Sequence, residues 1–523
     1  MSKEEIIPAF TNEAFADFSL PENRSAMETA LKKAKAELGQ DYPLVIGADK
    51  IMTEDKILSI NPGNTDKVVG RVSKASKELA EKAMQTALSS FETWKKVPPR
   101  ERAAYLFKAA ALMRERKHEF SAVMVLESGK NWAEADADTC EAIDFMEFYA
   151  REMIRLSQID RERPLVRIAG ETNRQEYIPL GVGVVIPPWN FPLAITVGMT
   201  TAAVVSGNTV LLKPSSLTPV IAYKFVALME EAGLPQGVIN FIPGSGSEVG
   251  DYLTTHPKTR FISFTGSKEV GLRINRLASE TAEGQIWIKR VIAEMGGKDG
   301  IVVDETADIE EAAAAIVTSA FGFQGQKCSA GSRAIIVEEV YDQVVQAVKE
   351  RTEKLAIGLP EENFAVGPVC DEKSYERILS YIEVGKQEGK LLTGGGKAAG
   401  NGYYIQPTVF VDVPGKARIM QEEIFGPVLA MAKAKDYQDA IALFNDTEFG
   451  LTGSFFSRDE KRIAYAEEEM HCGNLYINRK CTGALVGVHP FGGFNMSGTD
   501  SKAGGTDYLH LFTQPKIIAR KTK

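Results

Sequence analysis

Two kinds of hydrophobic spacing divide the chain into regions. Between residues 76 and 150, apolar side chains recur three or four positions apart, as at Ala80, Ala83 and Ala87, which predicts a series of helices. From residue 182, short apolar runs alternate with helical segments, at residues 182–186, 209–212, 238–242 and 261–264. Buried strands separated by helices are typical of a parallel sheet with crossover helices.

A second series of apolar runs follows, at residues 291–293, 301–303, 334–337 and 475–477. We therefore expect two α/β domains that meet within residues 294–300. Two further predicted strands, at residues 175–177 and 512–519, belong to neither series. Because an unpaired strand edge can bind another chain, these segments predict an oligomer.

Composition is that of an ordinary globular protein and removes several functional classes. The chain has 523 residues, 44% hydrophobic and 25% charged, which is enough for two or three domains. A net charge of −9 argues against nucleic-acid partners, and no apolar run is long enough to span a membrane. The N-terminal residues are polar and acidic without a targeting pattern, so we expect a cytoplasmic protein.

The five cysteines and five histidines indicate neither a disulfide framework nor a metal site. The cysteines form no C-x-x-C pair, and the histidines are scattered without an H-E-x-x-H pair. We therefore expect no bound metal. Free cysteines usually pack as small core residues, so a structural role is the default for each.

Cys328 has a different setting from the other cysteines. It follows an alanine-rich helix and lies between Gly325 and Gly331 in the turn G-Q-K-C-S-A-G, next to Lys327. A thiol acts as a nucleophile when it is accessible and close to polar or cationic groups, and glycines let a substrate approach the backbone. On this segment alone, a buried core cysteine is the default interpretation.

Two other segments contain groups that an attacking thiol requires. Asn190, in P-P-W-N-F-P directly after a predicted strand, offers an amide donor for an oxyanion. Glu294 stands between an apolar run and two glycines, where partial desolvation would raise the pKa of its carboxyl toward that of a general base. Taken separately, these segments are also consistent with a rigid turn and a solvent-exposed glutamate.

Several strand ends are suited to a cofactor. The segment F-T-G-S-K-E-V-G at 264–271 predicts a strand, a glycine turn and a helix start whose N–H groups suit a pyrophosphate. The glycine-containing run at 244–250 is one residue too long for a G-x-G-x-x-G motif, so we interpret it as a turn. Lys213 is positioned to reach ribose hydroxyls, and Glu423 and Phe425 to grip a ribose and cover a nicotinamide, although an acidic turn with one core ring is the alternative.

In combination and in this order, the segments resemble the aldehyde dehydrogenase family. The motifs extend over nearly the whole chain: P-W-N-F-P at 188–192, K-P-S-S at 213–216, F-T-G-S-x-x-x-G at 264–271, E-M-G-G-K at 294–298, G-Q-K-C at 325–328 and E-E-I-F-G-P at 422–427. The resemblance implies an α/β protein with two Rossmann-like doubly wound domains, one for the cofactor and one for catalysis, and a small β extension for oligomerisation.

The resemblance also implies boundaries and site residues. The dinucleotide-binding domain would comprise residues 1–160 and 181–293, the catalytic domain 294–480, the oligomerisation strands 161–180 and 500–523, and a substrate-anchoring loop 481–499. Cys328 would be the nucleophile, Glu294 the general base, and Asn190 with the Cys328 backbone N–H the oxyanion hole. The residues implied for NAD are Ile186, Pro188, Trp189, Lys213, Ser215, Ser216, Gly246, Gly250, Phe264, Thr265, Gly266, Ser267, Glu423 and Phe425.

Within the family, the cysteine turn and residues 481–499 resemble the 1-pyrroline-5-carboxylate dehydrogenase branch. That branch oxidises glutamate γ-semialdehyde, the ring-opened pyrroline, to glutamate in proline and arginine breakdown. The small-molecule substrate would be held by Lys327, Ser329, Gly483, Ala484 and Phe491. Exposed N–H groups and a hydroxyl suit a carboxylate. A site for another acidic semialdehyde remains the alternative.

One position departs from the family pattern, and three rival functions remain. Many NAD-preferring members have Glu where this chain has Ser216, so we expect NAD as the main cofactor with NADP tolerated. A thiol hydrolase would require a histidine with an orienting partner, which His256 and His489 lack in their sequence context. A CoA-acylating enzyme would leave Glu294 without a role, and a catalytically silent scaffold would require none of the three catalytic residues. The resemblance implies a homo-oligomer, a dimer or larger.

Overall fold

Helices and strands alternate along most of the chain. The computed structural model describes residues 7–522, apart from the side chains of residues 160 and 161. The helices are α1 (Pro21–Ala36), α2 (Lys77–Trp94), α3 (Pro99–Glu115), α4 (Lys117–Ser128), α5 (Trp132–Leu156), α6 (Ile159–Glu162), α7 (Ala194–Val205), α8 (Pro219–Glu231), α9 (Asp251–Thr255), α10 (Lys268–Ser279), α11 (Ile309–Phe321), α12 (Tyr341–Thr352), α13 (Glu372–Glu388), α14 (Arg418–Gln421), α15 (Tyr437–Asn445) and α16 (Glu460–Glu469). Helices α2–α5 confirm the helical spacing of residues 76–150.

The strands form two large sheets and three small ones. They are β1 (Gln40–Tyr42), β2 (Leu44–Ile46), β3 (Asp49–Ile51), β4 (Lys56–Ile60), β5 (Val68–Ser73), β6 (Glu171–Pro179), β7 (Val182–Ile186), β8 (Thr209–Leu212), β9 (Ile239–Phe241), β10 (Phe261–Thr265), β11 (Arg290–Glu294), β12 (Asp299–Val303), β13 (Gly331–Val337), β14 (Lys390–Thr393), β15 (Thr408–Val411), β16 (Val428–Ala434), β17 (Phe449–Gly450), β18 (Thr452–Phe456), β19 (Asn474–Ile477), β20 (Phe494–Asn495) and β21 (Thr513–Lys521).

The first large sheet has the order β11-β10-β7-β8-β9-β2-β3. Its first five strands are parallel, and β2 and β3 add an antiparallel edge. Residues 291–293 were expected to open the second series, but β11 pairs with β10, with Thr265 opposite Glu294. That prediction was wrong because an apolar run does not reveal which sheet it joins.

The second large sheet has the order β14-β15-β16-β13-β12-β18-β19 and is parallel except at β14. Apolar side chains from helices and strands fill both of its faces. The three expected strands at residues 301–303, 334–337 and 475–477 are central or edge members of this sheet. Together the two sheets confirm the doubly wound α/β fold.

The remaining strands form small separate sheets. Strands β1, β5 and β4 form a three-stranded sheet for which no strand was expected from the sequence. Strands β6 and β21 pair with each other over nine residues, as a two-stranded arm apart from both large sheets. Strands were expected in both of these segments. Within residues 7–522, no helix is both long and apolar enough to cross a membrane.

The connection between the large sheets positions the candidate site. Strand β11 ends at Glu294 and β12 begins at Asp299, so residues 295–298 pass directly from one sheet to the other. Cys328 precedes the amino end of β13, which pairs with β12. The carboxyl ends of the first sheet therefore face the amino ends of the second.

Candidate active site

The turn before Cys328 has an unusual backbone. Phe323 and Gln324 have φ angles of 48° and 56°, and Gly325 follows at 67°. A Cβ atom on Gly325 would lie 2.3 Å from the Gly426 carbonyl oxygen, so only glycine fits there. Left-handed non-glycine residues cost roughly 1–3 kcal/mol each and persist only where the surroundings fix them, often at functional sites.

Two buried glutamine side chains fix this turn. Gln324 Nε2 donates to the Pro368 carbonyl oxygen at 2.8 Å, and Gln326 Oε1 accepts from the Cys370 backbone N–H at 2.9 Å. Sequence reasoning missed both glutamines, because a glutamine in a turn gives no signal of burial. They hold the backbone on either side of Gly325 and so fix the direction of the Cys328 side chain.

The Cys328 thiol lies in acidic rather than cationic surroundings. It is half-buried, and burial raises the pKa of the thiol above its usual range. Three carboxyl groups raise this pKa further: those of Asp299, Glu294 and Glu423. Lys327, the expected cation, is instead paired with Glu134, with Nζ 2.7 Å from the carboxylate.

Glu294, the last residue of β11, lies in a pocket walled by backbone. Its Oε1 accepts a hydrogen bond from the Ser501 hydroxyl at 2.5 Å. A Cβ atom on Gly492 would lie 2.9 Å from this oxygen, and one on Gly498 would lie 3.2 Å from Oε2. Burial raises the pKa of Glu294 to about 8, as the sequence predicted in direction.

Asn190 lies beside the cysteine turn. Its side chain is 5% exposed, and its Nδ2 donates to the Gln326 carbonyl oxygen at 3.0 Å. A side-chain amide carries two N–H protons, so one remains for a further acceptor. The P-P-W-N-F-P segment after β7 thus places the Asn190 amide against Gln326, which precedes Cys328 by two residues.

One cavity of about 470 Å³ brings the nucleophile together with the expected base and substrate residues, whereas Asn190 is not among its lining residues. Eight of the residues singled out from the sequence line it: Thr265, Glu294, Lys327, Cys328, Ser329, Gly483, Ala484 and Phe491. Its walls also include acidic and aromatic side chains of α5, among them Glu134, Glu141 and Tyr149. A spacing of seven residues places Glu134 and Glu141 on one helix face, which is the signal that could have found them.

The loop at residues 481–499 is organised by side chains that sequence reasoning missed. The Arg479 guanidinium donates to the carbonyl oxygens of Thr482 and Gly483, each at 3.2 Å. The His489 ring accepts from the Leu485 backbone N–H at 3.2 Å. Gly483 and Ala484 of this loop line the cavity.

The residues expected to bind a cofactor cluster at neighbouring strand ends. Strands β8, β7 and β10 are adjacent and parallel, and ligands bind at the carboxyl ends of such strands. At or just beyond these ends lie Ile186, Pro188, Trp189, Lys213, Ser215, Ser216, Phe264, Thr265, Gly266 and Ser267. Ser267 caps α10 by accepting from the Val270 N–H at 3.4 Å, which confirms the predicted helix start.

Lys213 is buried without a polar partner. It is 6% exposed, and desolvation lowers the pKa of its ammonium to about 8. No hydrogen bond or ion pair joins its Nζ to residues 7–522, and the Nζ atom keeps a small contact with solvent. A buried, unpaired cation is costly, so its presence indicates a ligand with acceptor groups. The residues at this end of the sheet therefore fit the ribose of a dinucleotide.

The interpretation of residues 244–250 as a turn was wrong. Gly246–Gly250 is a π-helical turn that continues into α9, and the Ser245 hydroxyl caps it by accepting from the Glu248 N–H at 3.1 Å. A Cβ atom on Gly250 would lie 3.6 Å from Lys213 Cε. The predicted cofactor glycines thus lie at a helix start next to Lys213, where N–H groups favour anions.

Glu423 and Phe425 approach from the second sheet. Glu423 Oε1 accepts from the Gly297 N–H at 3.0 Å, and a Cβ atom on Gly296 would lie 2.2 Å from Oε2. The Phe425 ring packs edge-to-face on Trp189, with 5.6 Å between ring centroids. These contacts bring the expected cofactor residues of both sheets together.

Comparison with known proteins agrees with this geometry. Residues 51–518 match the family described as the aldehyde dehydrogenase family. The chain belongs to the aldehyde dehydrogenase family. It is 62% identical over 515 residues to a 1-pyrroline-5-carboxylate dehydrogenase of Anoxybacillus flavithermus, covering 98% of this chain and 99% of that protein. A relative of the same description from Geobacillus kaustophilus is 61% identical over 515 residues, with the same coverage.

This aldehyde dehydrogenase also superposes on solved structures. A 1-pyrroline-5-carboxylate dehydrogenase from Thermus with bound NAD is 50% identical, with a TM-score of 0.97, and the match covers 99% of this chain and 100% of that one. Proline utilization A from Bdellovibrio bacteriovorus is 45% identical with a TM-score of 0.95, covering 99% of this chain and 54% of that longer one. The fold expected from the resemblance is therefore confirmed.

Proposed function

We propose that this aldehyde dehydrogenase oxidises glutamate γ-semialdehyde, the open form of 1-pyrroline-5-carboxylate, to glutamate with NAD in proline breakdown. The observation that carries the proposal is the single cavity lined by Cys328, Glu294, Ser329 and the Gly483–Ala484 backbone. It combines a nucleophile and a base with donors for a substrate carboxylate. Relatives of that description, 60–62% identical over nearly the full length, support it.

In the first step the Cys328 thiol releases its proton to solvent and its sulfur adds to the aldehyde carbon, while the carbonyl oxygen becomes an oxyanion. The free N–H of the Asn190 amide and the Cys328 backbone N–H are the donors for that oxygen. Fixed donors in a water-poor site favour the charge that develops in the transition state. Gln324 and Gln326 fix the strained turn before Cys328, which holds the thiol and these donors in a constant relative position.

Collapse of the adduct leaves a thioester on Cys328. The nicotinamide cofactor, when bound, supplies the hydride acceptor. Glu294 then removes a proton from water as the water oxygen attacks the thioester carbon, and the carbon–sulfur bond breaks. A pKa of about 8 makes this carboxyl a stronger base than an exposed glutamate.

The substrate is distinguished by its second polar end. Ser329 and the Gly483–Ala484 backbone face the cavity and suit the α-carboxylate. Lys327, already paired with Glu134, contributes a polar wall rather than a free cation. An aldehyde without a carboxylate leaves these donors unsatisfied, which disfavours it.

Lys213, the helix start at Gly246–Gly250, Glu423 and Phe425 would hold the cofactor. Ser216 is exposed, and no carboxylate occupies its position to repel a 2′-phosphate. NAD is therefore the proposed main cofactor and NADP a tolerated one.

The domain boundaries, assembly and compartment are parts of the same proposal. The switch from β11 to β12 supports the division at residues 293 and 294. The arm of β6 and β21, with Ile517 57% exposed, supports a homo-oligomer, which light scattering would test by its mass. All five cysteines are free thiols, as a reducing cytoplasm maintains.

The decisive experiment follows reduced-nicotinamide absorbance with NAD and 1-pyrroline-5-carboxylate, against succinate semialdehyde and propanal. We expect turnover with the pyrroline to exceed both by a wide margin. Preference for succinate semialdehyde would reject glutamate γ-semialdehyde and keep the catalytic residues. No absorbance change with any aldehyde would reject dehydrogenase activity.

A further inference from the structure

Glu294 has a single side-chain partner among the described residues. The Ser501 hydroxyl donates to Oε1 at 2.5 Å, whereas Oε2 is buried without a hydrogen-bond partner there. Glu294 also lines the cavity that contains Cys328. One carboxylate oxygen is thus bound, and the other is left to accept a proton.

Ser501 is itself fixed by a segment that runs along β11. The Thr499 backbone N–H donates to the Ala293 carbonyl oxygen at 2.9 Å, and the Ala293 N–H donates to Thr499 Oγ1 at 3.0 Å. Met295 N–H donates to the Ser497 carbonyl oxygen at 2.7 Å. Ser501 is 3% exposed, so its hydroxyl has little freedom to find another acceptor.

The charged neighbours of Glu294 do not replace this bond. Lys502 favours the carboxylate by its charge, but its Nζ is hydrogen-bonded to the carbonyl oxygens of Gly473 (2.7 Å) and Gly492 (2.5 Å). Asp500 acts in the opposite direction. The other titratable neighbours, Cys328 and Tyr508, are neutral because burial and nearby charge raise the pKa of each.

We propose that Ser501 is a positioning residue for thioester hydrolysis, which holds Oε1 of Glu294, stabilises its carboxylate form and leaves Oε2 to accept the proton from water. The inference rests on the proposed function, because it requires Glu294 to act on a thioester. The Ser501 hydrogen bond is the strongest of three influences that lower the pKa of Glu294 against the rise that burial causes; the others are the charge of Lys502 and a backbone hydrogen bond from Gly493. Ser501 thereby sets the lower pH limit of hydrolysis.

The test separates thioester formation from hydrolysis by rapid mixing. The burst of reduced nicotinamide reports formation, and the following linear phase reports hydrolysis, each measured from pH 5 to 9. The acid-limb pKa is the pKa below which hydrolysis slows as the pH falls. For Ser501→Ala we expect it to rise by about one unit, so that below it hydrolysis is roughly tenfold slower than in the wild type. The burst rate should stay unchanged.

Two further variants separate positioning from folding. Ser501→Cys keeps a weaker donor of similar size, so its acid-limb pKa should lie between those of wild type and Ser501→Ala. Thr499→Val disturbs the same segment without touching the carboxylate and should not shift that pKa. An unshifted pKa in both Ser501 variants, or an equal shift in Thr499→Val, would overturn the proposal.

Glu294→Gln makes the two possible failures distinguishable. Loss of the linear phase with a retained burst would place the base at Glu294 and leave Ser501 to its own test. If the linear phase of Glu294→Gln has the wild-type rate, Glu294 is not the base, and both that assignment and the inference about Ser501 are rejected. If Ser501→Ala does not fold, the shift in Ser501→Cys decides.

Discussion

At the two faces that meet at the site, Lys213 and the glutamines of the cysteine turn differ in how they are satisfied, although Lys298 Nζ and Asp299 Oδ2 of the second face are also buried without a hydrogen-bond partner among residues 7–522. At the carboxyl ends of the first sheet, Lys213 is buried without a partner and Gly246 faces open space. At the amino ends of the second sheet, Gln324 and Gln326 have bound their acceptors and donors inside the protein. Unsatisfied groups indicate where a ligand binds, and satisfied ones indicate where geometry is fixed for chemistry.

The largest expected effect is that of Cys328→Ala, which should abolish turnover because no other group can form the thioester. Cofactor affinity should remain, since the first sheet supplies most of that site. Absorbance assays and calorimetric titration with NAD measure the two effects. Cys140→Ala, a buried cysteine on α5, is the matched control and should retain activity.

Removing the oxyanion donor Asn190 should cost somewhat less. In Asn190→Ala we expect kcat to fall about 10²–10³-fold, roughly 3 kcal/mol of barrier, as for other oxyanion donors. Steady-state kinetics with an unchanged KM for NAD would show that the effect is on the chemical step and not on cofactor binding. A fall smaller than about fivefold would contradict this role.

The pH dependence of hydrolysis should follow Glu294. Its pKa is raised to about 8, so the required carboxylate is lost as pH falls below that value. Well below that value hydrolysis should slow tenfold per pH unit, which gives a fall of about 50-fold between pH 8 and pH 6. Rapid-mixing measurements across this range would show it, and a flat profile down to pH 6 would contradict it.

Much of the contrast between the two faces could be read from the sequence, and part of it could not. The glycine-flanked turn of Cys328, the place of Glu294 at the end of an apolar run and most strand ends were predictable because glycines, prolines and apolar runs have local causes. The left-handed Phe323 and Gln324 depend on contacts with Pro368, 44 residues away, which no local pattern contains. Arg479 and His489 were missed for the same reason, since their partners are backbone groups of a loop whose shape the sequence leaves open.

The unsatisfied face is probed by Lys213→Met, which keeps the apolar stem and removes the ammonium. Loss of its hydrogen bonds to the ribose should lower kcat/KM for NAD about 30-fold. Removing a buried, unpaired cation should also raise the Tm of the ligand-free protein. Lys224→Met is the control, because Lys224 is partly exposed and paired with Glu37 at 2.7 Å.

The smallest expected effect concerns Ser216, which is exposed just beyond the carboxyl end of β8. Ser216→Glu places a carboxylate where a 2′-phosphate would lie, and repulsion between two anions near the surface should lower kcat/KM for NADP about tenfold. Activity with NAD should be kept, since the carboxylate can accept hydrogen bonds from the ribose hydroxyls. Ser216→Gln has the same shape without the charge and should retain NADP activity. Equal losses in both variants would mean that size, not charge, selects the cofactor at this position.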